Sequence, residues 1–146
     1  MITRSDIVAC ARTYIDTRYH HAARTKGLGI DCGGLLIAVC RELGLVTPDF
    51  DVPQYGPRPD GRTLLSWCEQ YMGRQLRRDE IAPGDALVMI TDVRPQHIGV
   101  VADYHYRGLS LVHAANGAHP PRVIETRLMF FRRQRFVSAF AFPGIE

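Results

Sequence analysis

Residues 29–36 read Gly-Ile-Asp-Cys-Gly-Gly-Leu-Leu, and this stretch decides the fold because it opens the strongest helix signal in the chain. The helix begins at Asp31 or Cys32, and its apolar stripe consists of Leu35, Leu36, Val39, Cys40 and Leu43. These positions recur at the period of one helix face. Gly44 follows directly, where a left-handed C-terminal cap belongs. The pattern therefore predicts a helix with Cys32 in its first turn.

The segments around this helix predict helices first and strands second. Ser5 is a plausible N-cap for a first helix of about 12 residues. A polar connection spans 17–30, a loop rich in Pro and Gly spans 46–61, and the apolar positions between Leu64 and Met72 indicate a third helix. Short runs rich in β-branched and aromatic residues follow at 86–90, 98–104, 109–115, 123–128 and 136–142. We expect an α+β fold, with helices packed on one side of a mostly antiparallel sheet of five or six strands.

Length and composition favour one globular domain over residues 1–146. Hydrophobic residues make up 46% of the chain and charged residues 23%, and the net charge is only +3. The densest basic run, residues 132–135, is too short to indicate nucleic acid binding. The N-terminus lacks a signal-peptide pattern, and no apolar stretch approaches the roughly 20 residues of a membrane span. We expect synthesis in the cytoplasm without membrane insertion.

Four cysteines are present, and only Cys32 has surroundings that suggest chemistry. Cys40 and Cys68 fall on the apolar faces of predicted helices, and Cys10 is ambiguous. The unpaired N–H groups of a helix start favour a thiolate at Cys32. Gly33 and its neighbour Gly34 leave the backbone open to a substrate carbonyl and its oxyanion, although close packing of the helix would also select glycine. Cys32 is thus a candidate nucleophile.

Two of the six histidines, His97 and His113, lie in predicted strands. If these strands form a hairpin with its tip centred on His105, the two side chains lie directly opposite each other on one face. His113 would then orient His97 as the base for Cys32. A zinc site built from the same three residues is the alternative, but the close ligand pairs that usually anchor zinc are absent from the sequence. We expect neither a metal nor another cofactor.

Several motifs together resemble the NlpC-like peptidoglycan peptidases. Residues 29–36 resemble the Asp-Cys-Ser-Gly-Leu nucleophile segment of that family, and Pro-Gly-Asp-Ala-Leu-Val at 83–88 its Pro-Gly-Asp segment. His-Ile-Gly-Val-Val at 97–101 resembles its His-Val-Gly strand, and Leu-Val-His-Ala at 111–114 the strand with the third polar residue. Tyr-His-His-Ala-Ala-Arg-Thr-Lys-Gly at 19–27 is similar to the version found in phage tail-associated members.

The resemblance implies a papain-like fold and hydrolysis of an amide in the peptidoglycan stem peptide, typically between D-Glu and a diamino acid. It implies Cys32 as nucleophile, His97 as general base and later acid, and His113 as orienter. Tyr19 would line the site near the oxyanion, and Asp31 would meet a substrate amine. Gly33 replaces the usual serine, so a substrate contact from that hydroxyl is missing.

The phage-like segment also implies delivery with a virion tail, with other tail proteins as partners. Two alternatives stay open. One is a Cys-His acyltransferase or an amidase acting on another substrate. The other is a structural tail component without activity.

Overall fold

The computed structural model describes residues 1–58, 60–91, 94–128 and 134–145. The elements in these ranges are α1 (Arg4–Arg12), β1 (Arg24–Thr25), β2 (Gly29–Ile30), α2 (Cys32–Glu42), α3 (Thr63–Tyr71), β3 (Gln75–Leu76), β4 (Ala86–Thr91), β5 (Arg94–Asp103), β6 (Leu109–Ala115), β7 (Arg122–Arg127) and β8 (Gln134–Phe140). Arg132 and Arg133 of the predicted basic run lie outside the described residues.

Six strands form the main sheet, in the order β3-β8-β4-β5-β6-β7, and every neighbouring pair is antiparallel. β1 and β2 form a separate two-stranded hairpin directly before α2. The α+β class with helices first and a mostly antiparallel sheet second is confirmed. The hairpin was not predicted, and neither was β3, because strands of two residues have no alternation to detect.

α1 begins earlier than the sequence predicted. Its N-cap is Thr3, whose hydroxyl accepts the N–H of Asp6 at 3.3 Å while the Asp6 carboxylate accepts the N–H of Thr3 at 2.7 Å. This reciprocal pair is a capping box, and it satisfies two N–H groups at the helix start. The prediction of Ser5 as N-cap is wrong, since no acidic or amide residue lies three positions after Ser5.

α2 matches its prediction at both ends. Asp31 is the N-cap, and its side chain accepts the N–H of Gly34 at 2.7 Å. At the other end Gly44 has φ +69°, and the N–H of Leu45 reaches the carbonyl of Cys40 at 2.8 Å. This is the left-handed termination for which glycine is selected.

Two apolar clusters lie on opposite faces of the sheet. The larger joins α1 and α2 to alternate sheet residues, among them Ile98, Val100, Ala102 and Val112. The smaller consists of Leu76, Leu87, Met89, Val101, Leu111 and Ala139 on the other face. Of the described helices, none is long and apolar enough to cross a bilayer. The helices thus cover one face, as predicted.

Candidate active site

Cys32 occupies the first position of α2, and it is the one partly exposed cysteine of the four. Cys10, Cys40 and Cys68 are buried in the core, so the ambiguity over Cys10 is resolved in favour of a structural role. The side chain of Cys32 packs against the larger cluster and lines an open cleft. A reagent or substrate can reach only this thiol without disturbing the core.

The thiol meets the sheet where β5 and β6 separate. Val101 donates its N–H to Asp85 and accepts from Gly84, so its polar main-chain groups face β4. Main-chain groups alternate along a strand, which directs those of Ile98 toward β6. The β5–β6 pairing, however, ends at Val100 opposite Val112. The N–H of Ile98 therefore lies beyond the ladder, and it interacts with Cys32, where it favours the thiolate.

Burial outweighs the helix start in setting the charge of this thiol. Burial raises the pKa of Cys32 to about 11, and the carboxylate of Asp31 adds to the rise. The N–H groups of Gly33, Ile98 and Cys32 itself lower the pKa, as expected from the helix start, but by less. The prediction that the surroundings favour a resting thiolate is thus wrong. A nucleophilic role for Cys32 would therefore require a base.

A hydrogen-bonded histidine pair lies next to this separation of strands. His97 Nε2 and His113 Nδ1 are 2.5 Å apart, and the ring planes cross at 77°. His97 directly precedes Ile98 on β5, and His113 directly follows Val112 on β6. Both histidines therefore flank the point at which the two strands diverge.

The register of the hairpin differs from the prediction by two residues. Asp103 pairs with Leu109 and Val100 with Val112, which centres the tip on position 106 rather than on His105. His97 and His113 are consequently diagonal neighbours and not directly opposite. A shift of two residues keeps both side chains on one face, because strand alternation has a period of two, and diagonal neighbours remain within reach of long side chains.

Both imidazoles are neutral at pH 7. Burial lowers the pKa of His97 to about 3, with the neighbouring His113 as the second cause. Burial likewise lowers the pKa of His113 to about 4. The second ring nitrogen of His113, Nε2, lies 2.9 Å from the hydroxyl oxygen of Thr126 on β7. The sequence reasoning missed Thr126, and only knowledge of the β6–β7 register could have revealed it.

Tyr19 lies beside Cys32, as the resemblance implied. Its phenol is half-buried and lines the same cleft as Cys32. Burial raises the pKa of Tyr19 to about 12, and electrostatic interactions with Cys32 and Asp31 add to the rise. Tyr19 is therefore a neutral hydroxyl that can donate a hydrogen bond into the site.

Asp31 is also beside Cys32, but its carboxylate already accepts four hydrogen bonds from groups of the protein. Besides capping Gly34, it accepts the N–H of Ala22 at 2.8 Å, a guanidinium N–H of Arg24 at 3.1 Å and the hydroxyl of Tyr55. The side chain of Asp31 is only 4% exposed. A substrate amine could reach it only by replacing one of these partners, so the predicted contact stays a prediction.

The two glycines after Cys32 serve different purposes. A Cβ on Gly33 would meet nothing within 4 Å, and Gly33 lines the cleft. A Cβ on Gly34 would lie 2.6 Å from the carbonyl oxygen of Ala23 and 2.7 Å from Oδ1 of Asp31. Gly33 therefore leaves the cleft open, whereas Gly34 makes room for the N-cap.

The cleft beside Cys32 has a volume of about 400 Å³. Residues of α2, of α3 and of the loop between the two helices line it. The apolar side chains that line it include Leu36, Ile37, Val46, Phe50, Val52, Leu64, Trp67, Tyr71 and Met72. Tyr55 also lines the cleft, and its ring packs edge-on against Trp67. In the part of the chain that the structure describes, no group of three or more His, Cys, Asp or Glu side chains is placed to hold a metal ion.

No family model matches the sequence, and no curated protein matches it either. Solved structures do match it. The NlpC/p60 domain of the peptidoglycan hydrolase SagA is 18% identical with a TM-score of 0.64, over 97% of this chain and 100% of that one. NlpC2 from Trichomonas vaginalis is 16% identical with a TM-score of 0.66, over 97% of this chain and 48% of that one.

A third match is the P60 domain of antigen MAP1204 from M. avium subspecies paratuberculosis. It is 15% identical with a TM-score of 0.57, over 97% of this chain and 95% of that one. At such identities the likeness is one of fold. The chain has the papain-like NlpC/p60 fold that its motifs predicted.

Proposed function

We propose that this chain is a single-domain cysteine peptidase that hydrolyses an amide bond in the stem peptide of bacterial peptidoglycan. The observation that carries the proposal is the position of Cys32, at the start of α2 and against β5 where that strand leaves β6. The hydrogen-bonded pair of His97 and His113 flanks the same place. This arrangement supplies a nucleophile, a base and an orienting group.

The reaction begins with Cys32 and His97 both neutral. His97 takes the thiol proton of Cys32 as the sulfur attacks the carbonyl carbon of the scissile amide, and the carbonyl oxygen becomes an oxyanion. The main-chain N–H of Cys32 and the hydroxyl of Tyr19 are the donors proposed for that oxyanion. His97 then returns its proton to the leaving nitrogen, the C–N bond breaks, and a thioester remains on Cys32.

Water completes the cycle. His97 removes a proton from the water as its oxygen attacks the thioester, and the C–S bond breaks with the proton returning to sulfur. The products are a carboxylic acid and an amine, and the protein is regenerated. Since His97 is neutral at neutral pH, it can act as a base from the first step.

The bond that we propose is the one between D-Glu and a diamino acid. The ammonium group of the substrate would take the position at Asp31 that the Tyr55 hydroxyl occupies, and Gly33 leaves space beside it. Support for tail association comes from residues 19–27, the segment similar to phage tail-associated members. Mass spectrometry of purified phage particles would test that part, and absence of the chain from the particles would contradict it.

The decisive experiment is mass spectrometry of muropeptides after incubation of peptidoglycan with the protein. New free amino termini are expected from the wild type and none from Cys32→Ala or His97→Ala. Cys10→Ala is the matched control, because Cys10 is a buried cysteine outside the site and its loss should leave cleavage intact. Equal cleavage by the wild type and Cys32→Ala would remove Cys32 from the mechanism.

A Cys-His acyltransferase or an amidase acting on another substrate is the second candidate. The apolar walls of the cleft and the commitment of Asp31 to internal partners favour it. Turnover of a simple acyl donor without new amino termini in peptidoglycan would select this function. Inactivity in both assays, with the protein folded, would select the structural tail component.

A further inference from the structure

Thr126, His113 and His97 form a diagonal row across β7, β6 and β5. Thr126 pairs with Leu111 across β6 and β7, so its contact with His113 is diagonal in the register. The contact of His113 with His97 is diagonal in the same sense. One hydrogen-bonded chain therefore runs from Thr126 through His113 to His97.

Only two proton arrangements satisfy this chain when both rings are neutral. A neutral imidazole has one N–H and one lone pair, and facing nitrogens must pair a donor with an acceptor. In the first arrangement His97 Nε2–H donates to His113 Nδ1, and His113 Nε2–H donates to the Thr126 oxygen. In the second arrangement the Thr126 hydroxyl donates to His113 Nε2, and His113 Nδ1–H donates to His97 Nε2.

The two arrangements differ at Nδ1 of His97, the ring nitrogen that does not contact His113. The first leaves a lone pair on His97 Nδ1, which can receive a proton. The second leaves an N–H there, and His97 then has no free site for the proton of Cys32. Only the first arrangement is compatible with His97 acting as a base.

We infer that Thr126 is a positioning residue for this site: its hydroxyl oxygen accepts the N–H of His113, and this is the arrangement that leaves Nδ1 of His97 free to take the Cys32 proton. The inference rests on the proposed function, because it assigns His97 as the base. It goes further in that it assigns a role in the site to a fourth residue, on a third strand. When His97 gains the proton, this arrangement persists, because His97 Nε2–H and His113 Nε2–H keep their acceptors.

The test compares Thr126→Val with Thr126→Ser. Valine matches threonine in shape but cannot accept a hydrogen bond, and serine keeps the hydroxyl. ¹⁵N NMR of the imidazole nitrogens reads the tautomers directly, with His97→Gln and His113→Gln providing the assignments. We expect Nε2–H on both rings in the wild type and in Thr126→Ser, and a mixture of tautomers in Thr126→Val.

The reactivity of Cys32 gives a second readout that needs no substrate. Alkylation by iodoacetamide at pH 7, located by peptide mass, should slow about tenfold in Thr126→Val, roughly the effect of losing one partly buried hydrogen bond, and should return close to wild type in Thr126→Ser. The other three cysteines are buried and serve as internal controls.

The outcomes separate this inference from the proposed function. Tautomers and alkylation rates that are unchanged in Thr126→Val would overturn the inference, as would a wild-type His113 protonated at Nδ1. If the tautomers and rates respond as expected but peptidoglycan is not cleaved, the inference stands and the proposed function fails. If cleavage depends on Cys32 but not on the Thr126 hydroxyl, the proposed function stands and the inference fails.

Discussion

A methyl group added to Gly34 should lower the stability of the protein, whereas one added to the adjacent Gly33 should not. In Gly34→Ala the new Cβ would lie 2.6 Å from the Ala23 carbonyl oxygen, 2.7 Å from Asp31 Oδ1 and 2.8 Å from a guanidinium nitrogen of Arg24. These three groups form the capping network of α2, so the methyl must push that network apart. In Gly33→Ala the new Cβ would meet nothing within 4 Å.

The magnitudes follow from the groups that are displaced. Loss of an N-cap costs about 1 kcal/mol, and overpacking costs about 1–3 kcal/mol. Alanine returns up to about 1 kcal/mol of helix propensity at either position. We therefore expect Gly34→Ala to lower the free energy of unfolding by about 1–3 kcal/mol, and Gly33→Ala to leave it unchanged or raise it by up to about 1 kcal/mol.

Urea unfolding followed by fluorescence measures both variants, because the chain has a single tryptophan, Trp67, which lines the cleft. The two substitutions are chemically identical and adjacent in sequence, so each is the other's control. Unfolding free energies that agree within about 0.5 kcal/mol, the usual range for a surface substitution, would refute the packing assigned to Gly34.

Three further predictions concern the same region. Arg24→Gln should lower the free energy of unfolding by about 3 kcal/mol, because it leaves the buried Asp31 carboxylate without its cation. Arg77→Gln is the control, since it removes only an exposed ion pair to Asp79. It should change the free energy of unfolding by less than about 0.5 kcal/mol in the same urea titration. Stability should fall as the pH drops below 6.5, since the unfolded chain protonates His97 and His113 near that pH while the folded chain does so only near 3 and 4. The fall between pH 7 and pH 5 should be smaller in His113→Gln, and an equal fall would argue against the histidines as its source. Gly33→Ser should fold normally, because the position is open, and should change which muropeptides are cleaved; an unchanged product pattern would show that this position does not contact substrate.

The main elements were predictable because they depend on local signals that the sequence displays. The apolar period of α2, the glycine at 44 and the alternating strand runs each predict one backbone conformation without reference to distant residues. The predicted elements were wrong or missing where the sequence pattern was short, or where two nearby residues could serve the same role. Ser5 and Thr3 are both capping residues, and only Thr3 has an acidic partner three positions later. β1, β2 and β3 have two residues each, too few for a pattern.

The charge state of the site was not predictable, since it depends on tertiary packing. A helix start does favour the thiolate of Cys32, and the structure retains that contribution from the N–H groups. What opposes it is burial against β5 and the nearby carboxylate of Asp31, and both arise only when the chain is folded. The same burial keeps the two histidines neutral.

The pairing of His97 with His113 was predicted although the assumed register was wrong, and the reason is physical. Strand alternation assigns residues to faces by parity, so an error of two residues changes which side chains are opposite but not which face they share. Parity does not reveal Thr126, the third residue of the row, because its contact with His113 depends on the register between β6 and β7. A nucleophile and its base can therefore be proposed from motifs and parity, whereas the hydroxyl proposed to orient the histidine pair requires the registers of two strand pairs.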